Sequence, residues 1–220
     1  MIISHKYKCI CLQPRKVGST SLAEFFKSID PQVKEDYDNL NKEIPPYEHQ
    51  VASEVRVKVG EEIWNSYFKF SFIRDPFDWV KSFCAYESKL VWNNDFIWNM
   101  VKVILRYNRT LVLNKSTITP DNLVSLYTLQ KWWYNPVGVS GQVGWLDEDL
   151  DHIGIFENID EEMKYIGGLL GLPSYTIPKL NKSNSSSITM EPETYQLISI
   201  LFKEDIDLYN NYSQLPIEKR

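Results

Sequence analysis

The chain has 220 residues, of which 43% are hydrophobic and 24% are charged, a composition typical of one soluble globular domain. Its net charge of −5 argues against a general binder of nucleic acids or anionic membranes. Three scattered histidines and three cysteines predict neither a metal site nor a disulfide framework. Because no signal peptide or long apolar run is present, we predict a cytoplasmic protein without a membrane span.

Strand-like and helix-like patterns alternate along the chain. This order favours a three-layer α/β fold, in which helices flank a central parallel sheet, within a single domain over residues 1–220. Helices are predicted to begin near Pro76 and Asp160, the first because proline fits the first helical turn. The other predicted elements are strands over residues 8–13, 67–73 and 152–157, and helices over residues 19–28, 52–64, 95–107, 120–134 and 191–209.

The residues between the first strand and the first helix form a candidate anion site. Residues 14–21 read Pro-Arg-Lys-Val-Gly-Ser-Thr-Ser. A strand, a turn of small residues and a helix direct successive backbone N–H groups and the positive helix end at one phosphate or sulfate. Lys16 precedes Gly18, whereas the lysine of a kinase-type phosphate loop follows the second glycine of that motif. The segment therefore predicts an anion site of another kind.

A second candidate anion site follows the strand predicted over residues 67–73. Arg74 comes directly after that strand, and Ser82 follows eight residues later in the sequence Arg-Asp-Pro-Phe-Asp-Trp-Val-Lys-Ser. Such a pair would place a fork-shaped cation and a hydroxyl at the carboxyl edge of the sheet. Two anion sites on one sheet suggest a nucleotide that carries phosphates at both ends.

Together, these two segments resemble those of the sulfotransferases that use 3′-phosphoadenosine-5′-phosphosulfate (PAPS). Residues 16–21, Lys-Val-Gly-Ser-Thr-Ser, are similar to the family's 5′-phosphosulfate loop, and residues 74–82 to its 3′-phosphate site. Residues 154–159, Gly-Ile-Phe-Glu-Asn-Ile, and residues 180–183 resemble later motifs of the carbohydrate-type and bacterial members. One departure is Arg15, which stands where the family usually has proline.

The resemblance implies a P-loop-like fold and a sulfotransferase that uses PAPS as co-substrate, needs no metal and acts on a hydroxyl acceptor, most simply a carbohydrate. It implies that Lys16 stabilises the leaving phosphate. His49 matches by position the histidine of the carbohydrate-type relatives, and its reference pKa suits proton removal near neutral pH. The cofactor-binding residues implied are Arg15, Lys16, Gly18, Ser19, Thr20, Ser21, Arg74, Ser82 and Lys182.

Several alternatives stay open at this level. Some relatives use a glutamate as the base, and His152 is expected to be structural because it opens an apolar strand. The chain as a whole could instead be a P-loop kinase-like phosphotransferase, or a non-catalytic nucleotide-binding module of the same fold. The glutamates that could replace His49 are Glu35, Glu43, Glu48 and Glu54, and the tryptophans that could stack on a sugar are Trp92, Trp98, Trp132, Trp133 and Trp145.

Overall fold

The computed structural model describes residues 1–36, 49–93, 141–173, 176–178, 180 and 189–220. These ranges contain a mixed α/β structure with one four-stranded sheet. The strands are β1 Ile2–Ser4, β2 Cys9–Cys11, β3 Phe68–Ile73 and β4 His152–Ile155. The helices are α1 Ser19–Ile29, α2 Ala52–Val59, α3 Glu61–Ser66, α4 Pro76–Asn93, α5 Ile159–Leu170, α6 Pro192–Leu201 and α7 Lys203–Ser213, and residues 31–36 are helical as well.

The sheet is mostly parallel and has the strand order β1-β2-β3-β4. β2 runs parallel to β3, and β3 parallel to β4, with Phe72 opposite Gly154. β1 pairs antiparallel with β2, with Ile3 opposite Ile10. Every residue of β3 after Phe68 is buried, which is typical of a parallel strand covered on both faces. The parallel pairing predicted from the alternation of elements is confirmed, and the antiparallel strand β1 was not predicted.

Helix α1 packs against the sheet through the apolar stripe that its sequence predicts. Leu22, Phe25 and Phe26 are buried, and the ring centroid of Phe26 lies 6.2 Å from that of Phe70 on β3. Burying one such side chain contributes about 1.5–3 kcal/mol to stability. This packing fixes the start of α1, and hence the loop before it, relative to the sheet.

Two predicted helices are each broken into two. The stretch predicted as one helix over residues 52–64 divides at Gly60, whose φ of 82° a right-handed helix does not permit. The helix predicted over residues 191–209 divides at Phe202, which is buried and packs edge-on against Trp79 with centroids 5.6 Å apart. The helices predicted over residues 95–107 and 120–134 lie outside the described residues.

The chain divides into two compact units. The first comprises Met1–Asp75, Val139–Lys182 and Glu204–Arg220 and contains the sheet, whereas the second comprises Pro76–Gly138 and Ser183–Lys203. In the second unit, Trp79 stacks on Phe83 with ring centroids 5.6 Å apart. Among the described helices, none has a stretch that is both long and apolar enough to cross a bilayer. The single domain over residues 1–220 stays a prediction.

Candidate functional site

The loop between β2 and α1 has a backbone shape suited to an anion. Lys16 has a φ of 67° and Gly18 a φ of 83°, both in the left-handed region. A left-handed conformation costs a non-glycine residue about 1–3 kcal/mol and persists only where the surrounding structure enforces it. Gly18 also precedes Ser19, the first residue of α1. Backbone N–H groups in such a loop and at a helix start form a concave site for a phosphate or sulfate.

The first turn of α1 contains the predicted hydroxyl residues Ser19, Thr20 and Ser21. Thr20 is exposed, whereas Ser21 is buried and its Oγ accepts a hydrogen bond from the Leu180 N–H at 3.2 Å. Arg15 and Lys16 are both half-buried in the turn before the helix. The structure therefore brings the predicted residues 15–21 together in one loop and helix start. Lys182 lies outside the described residues.

Gly18 lies against the aromatic ring of Phe156, which comes directly after β4. A Cβ atom added to Gly18 would lie 2.7 Å from Phe156 Cε2, closer than real Cβ contacts allow. The Phe156 ring also packs against Arg74, whose guanidinium carbon is 5.1 Å from the ring centroid. One ring thus contacts both predicted anion sites. Phe156 belongs to the Gly-Ile-Phe-Glu-Asn-Ile motif, but no role was predicted for it from the sequence.

We expect Gly18→Ala to destabilise the protein more than Gly171→Ala. Both glycines are left-handed, with φ of 83° and 65°, so alanine costs about 1–2 kcal/mol at either position. Gly171 has no atom within 4 Å of an added Cβ, whereas Gly18 would displace the Phe156 ring. Urea unfolding of both variants measures the difference. Equal losses of stability would contradict the close approach of Phe156 to Gly18.

His49 is held at the carboxyl end of β2 by a hydrogen bond to the backbone. Its Nδ1 lies 2.8 Å from the carbonyl oxygen of Gln13, two residues after the strand. A carbonyl oxygen only accepts hydrogen bonds, so Nδ1 carries the hydrogen and the neutral ring has its lone pair on Nε2. The Trp145 ring packs edge-on against His49 with centroids 6.1 Å apart. His49 is therefore oriented as a base that would act through Nε2.

Gln13 connects His49 with the loop, a role that was not predicted from the sequence. Its side chain is fully buried, and its Nε2 donates a 2.9 Å hydrogen bond to the carbonyl oxygen of Ser19. Its backbone oxygen accepts the hydrogen bond from His49. A glutamine just after a strand is a weak signal, because its partners depend on how the chain folds back. Gln13 thus fixes the distance between the candidate base and the start of α1.

Two other predictions concern aromatic and histidine residues. Trp145 is 8% exposed and packs against His49, so it lacks the exposed ring face that sugar stacking needs. The side chains of the other candidate tryptophans lie outside the description. His152 is buried and its Nε2 is 2.8 Å from Glu162 Oε2, a partner in the protein interior that confirms a structural role. Glu35 and Glu54 are exposed on helical segments, and Glu43 and Glu48 lie outside the described residues.

Arg74 comes directly after β3, as predicted, and its surroundings include an acidic group. Its Nε is 3.9 Å from Glu157 Oε1, and the same oxygen accepts a 3.1 Å hydrogen bond from the Asp75 N–H. Partial burial raises the pKa of Glu157, although the Asp75 N–H and the Arg74 charge oppose that shift. Ser82 is a buried residue of α4 in the second unit. The joint action of Arg74 and Ser82 on one phosphate stays a prediction.

The described part of the chain offers no cluster of three or more histidine, cysteine or acidic side chains that could hold a metal ion. The two cysteines of β2 are buried, and burial raises the pKa of Cys9 to about 12, which makes this thiol inert. The described residues around the candidate site offer cations, hydroxyls, backbone N–H groups, the Glu157 carboxylate and the His49 imidazole.

Comparison with known proteins agrees with this geometry. The model of the sulfotransferase family matches residues 1–133, a range that includes the Lys16 loop, His49, Arg74 and Ser82. The chain has no significant match among curated proteins or among solved structures.

Proposed function

The chain belongs to the sulfotransferase family, and we propose that it transfers a sulfuryl group from PAPS to the hydroxyl group of a carbohydrate. The observation that carries this proposal is the arrangement at the end of β2. There, Lys16 and Gly18 adopt left-handed conformations in the loop, and His49 donates to the Gln13 carbonyl oxygen three residues before Lys16. A candidate cation and a candidate base thus approach one strand end. Transfer of a charged group from one oxygen to another requires such a pair.

In the proposed reaction, the acceptor oxygen attacks the sulfur of PAPS in line with the bond to the phosphate oxygen. The sulfur–oxygen bond to the phosphate breaks, and adenosine 3′,5′-bisphosphate leaves with the bonding electron pair. His49 takes the acceptor proton at Nε2, because its Nδ1 hydrogen is engaged by the Gln13 carbonyl oxygen. Lys16 stabilises the negative charge that develops on the leaving phosphate.

The remaining predicted residues would hold the nucleotide. Backbone N–H groups and hydroxyls of Gly18, Ser19, Thr20 and Ser21, together with Arg15, would bind the 5′-phosphosulfate. Arg74 and Ser82 would bind the 3′-phosphate, and Lys182 would help to close the adenosine site. The left-handed backbone of the loop at Lys16 and Gly18 supports this assignment, because such turns direct successive N–H groups toward one anion. The sulfuryl group carries less negative charge than a phosphoryl group, so a divalent metal is less necessary.

We expect Arg74→Ala to weaken binding of adenosine 3′,5′-bisphosphate and to leave binding of AMP unchanged. Loss of a charge-assisted hydrogen-bond pair costs about 1.5–3 kcal/mol, or roughly 10- to 150-fold in affinity. Calorimetric titration of the wild type and the variant with bisphosphate, AMP and ATP measures this preference. Arg56→Ala is a matched control, because Arg56 forms surface ion pairs with Glu61 and Glu148 in the same unit.

The same titration separates the alternatives. Equal or tighter binding of ATP by the wild type would contradict the sulfotransferase proposal and favour a phosphotransferase. Selective bisphosphate binding justifies a second assay, in which PAPS is offered with a panel of mono- and oligosaccharides and release of the bisphosphate is measured. Selective binding without transfer to any hydroxyl acceptor would favour a non-catalytic nucleotide-binding module.

A further inference from the structure

Arg74 is held by a side chain from a distant part of the chain. The Arg74 N–H donates a 2.7 Å hydrogen bond to Gln142 Oε1, and Gln142 Nε2 donates a 2.7 Å hydrogen bond to the Arg74 carbonyl oxygen. The oxygen and the nitrogen of the Gln142 amide thus bind the N–H and the carbonyl oxygen of Arg74, respectively. Gln142 is 1% exposed, so water does not compete for these bonds. The pair fixes the backbone of Arg74 where β3 ends.

Gln142 is held in turn by Asp205 on α7. Asp205 Oδ1 accepts hydrogen bonds from the N–H groups of Gln142 and Val143 at 2.5 and 2.8 Å. The carboxylate also lies so close to Gly141 that an added Cβ would be 1.8 Å from Asp205 Oδ2. Burial raises the pKa of Asp205 to about 6, although the two N–H groups oppose that shift. The turn that carries Gln142 is thus fastened by a buried carboxylate.

The same helix also contacts Glu157, the acidic neighbour of Arg74. Tyr209, one helical turn after Asp205 and on the same face of α7, donates a 3.3 Å hydrogen bond to Glu157 Oε2. The other oxygen of Glu157 accepts the hydrogen bond from the Asp75 N–H. Two residues of α7 therefore support this strand end indirectly. Asp205 binds the turn that carries Gln142, which holds Arg74, and Tyr209 binds Glu157, which holds the Asp75 N–H.

We propose that Gln142 and Asp205 are positioning residues that direct the Arg74 guanidinium toward the 3′-phosphate of the nucleotide. Both lie outside residues 1–133, the part that matches the family, so this chain supplies the support for Arg74 from beyond the matched range. The inference rests on the proposed function. Its physical basis is that a guanidinium recognises phosphate through fixed, paired N–H donors, and a tilt of the backbone moves both donors at once.

Gln142→Ala should lower the affinity for adenosine 3′,5′-bisphosphate by about tenfold to a hundredfold and leave AMP binding unchanged. Asp205→Ala should give a smaller loss of bisphosphate affinity, because Asp205 binds the turn that carries Gln142 and does not contact Arg74 itself. Calorimetric titration near pH 8, well above the Asp205 pKa of about 6, keeps the carboxylate ionised. Glu204→Ala is the matched control, since it removes an exposed carboxylate beside Asp205.

A purely structural role predicts a different pattern. Loss of packing alone would lower the melting temperature and weaken bisphosphate and AMP alike, so that their affinity ratio stays constant. Gln142→Glu provides a second variant, which retains the acceptor for the Arg74 N–H but replaces the donor to the Arg74 carbonyl oxygen by a carboxylate oxygen that repels it. In the double variant Arg74→Ala/Gln142→Ala, the affinity for adenosine 3′,5′-bisphosphate should be no lower than in Arg74→Ala alone, because Gln142 acts on the nucleotide only through Arg74.

The outcomes distinguish this inference from the proposed function. A wild type that does not prefer bisphosphate over AMP would overturn the proposed function itself. A wild type with that preference, lost in Arg74→Ala but fully kept in Gln142→Ala and in the conservative Gln142→Glu, would overturn the positioning role alone. Selective loss in the Gln142 variants, with Glu204→Ala unchanged, would support it.

Discussion

Replacing His49 by alanine is expected to lower kcat for sulfuryl transfer by about 10²- to 10⁴-fold and to leave bisphosphate affinity unchanged, because a general base acts on the acceptor and not on the nucleotide. His49 Nδ1 donates to the Gln13 carbonyl oxygen, so the lone pair of the neutral ring lies on Nε2, where the acceptor proton would be taken. Steady-state kinetics with PAPS and a responsive acceptor, together with calorimetric titration, measure both quantities.

The His49 experiment has a control and a rescue. His5→Ala changes an exposed histidine that contacts the Tyr67 hydroxyl, and it should retain full activity. Imidazole added to His49→Ala should restore part of the activity, since it replaces the missing base without a covalent link. Full activity of His49→Ala would remove His49 from the mechanism and return attention to the glutamates.

Replacing Lys16 by alanine should lower kcat by about 10²- to 10³-fold, the usual cost of losing one group that stabilises charge developing in the transition state. Bisphosphate binding should also weaken, because in the proposed site the same ammonium would face the 5′-phosphate in the ground state. Lys16 is half-buried and has a φ of 67°, a conformation retained only where the surrounding fold enforces it. Single-turnover kinetics with PAPS separate the effect on transfer from that on binding.

Lys8 gives a closely matched control for this change. It is also a lysine with a left-handed backbone, at a φ of 48°, and it lies exposed in the turn between β1 and β2. Lys8→Ala therefore carries the same backbone strain and the same loss of charge at a different place. Comparable losses of kcat in the two variants would show that Lys16 has no special part in the transfer.

Two residues connect the predicted parts of the site with one another. The Phe156 ring is close both to Gly18 of the loop and to the Arg74 guanidinium, so the two predicted anion sites share one neighbour. Gln13 relates His49 to the start of α1 in a similar way. Precise placement of a few polar groups on a fixed frame is what group transfer requires.

Local signals determined a large part of this molecule. The apolar residues of β3, the stripe Leu22, Phe25 and Phe26 on α1, and Pro76 at the start of α4 each act within a few residues of chain. The sequence therefore predicted these elements and the order of strand, loop and helix around Lys16. The strand β1 was missed because three residues are too few to show a periodic pattern. The break at Gly60 was missed because the residues on both sides of it favour a helix, and the sequence does not show that Gly60 adopts a positive φ.

Only the tertiary structure decided which residues hold the site. The partners of Arg74 and His49 come from positions that no spacing rule connects: Gln142 follows Arg74 by 68 residues, and Asp205 follows Gln142 by 63. A glutamine or an aspartate in a helix or turn has the same local pattern whether it is buried against a backbone or exposed to water. Its role appears only when the folded chain brings the partner within hydrogen-bonding distance and removes the water that would otherwise compete.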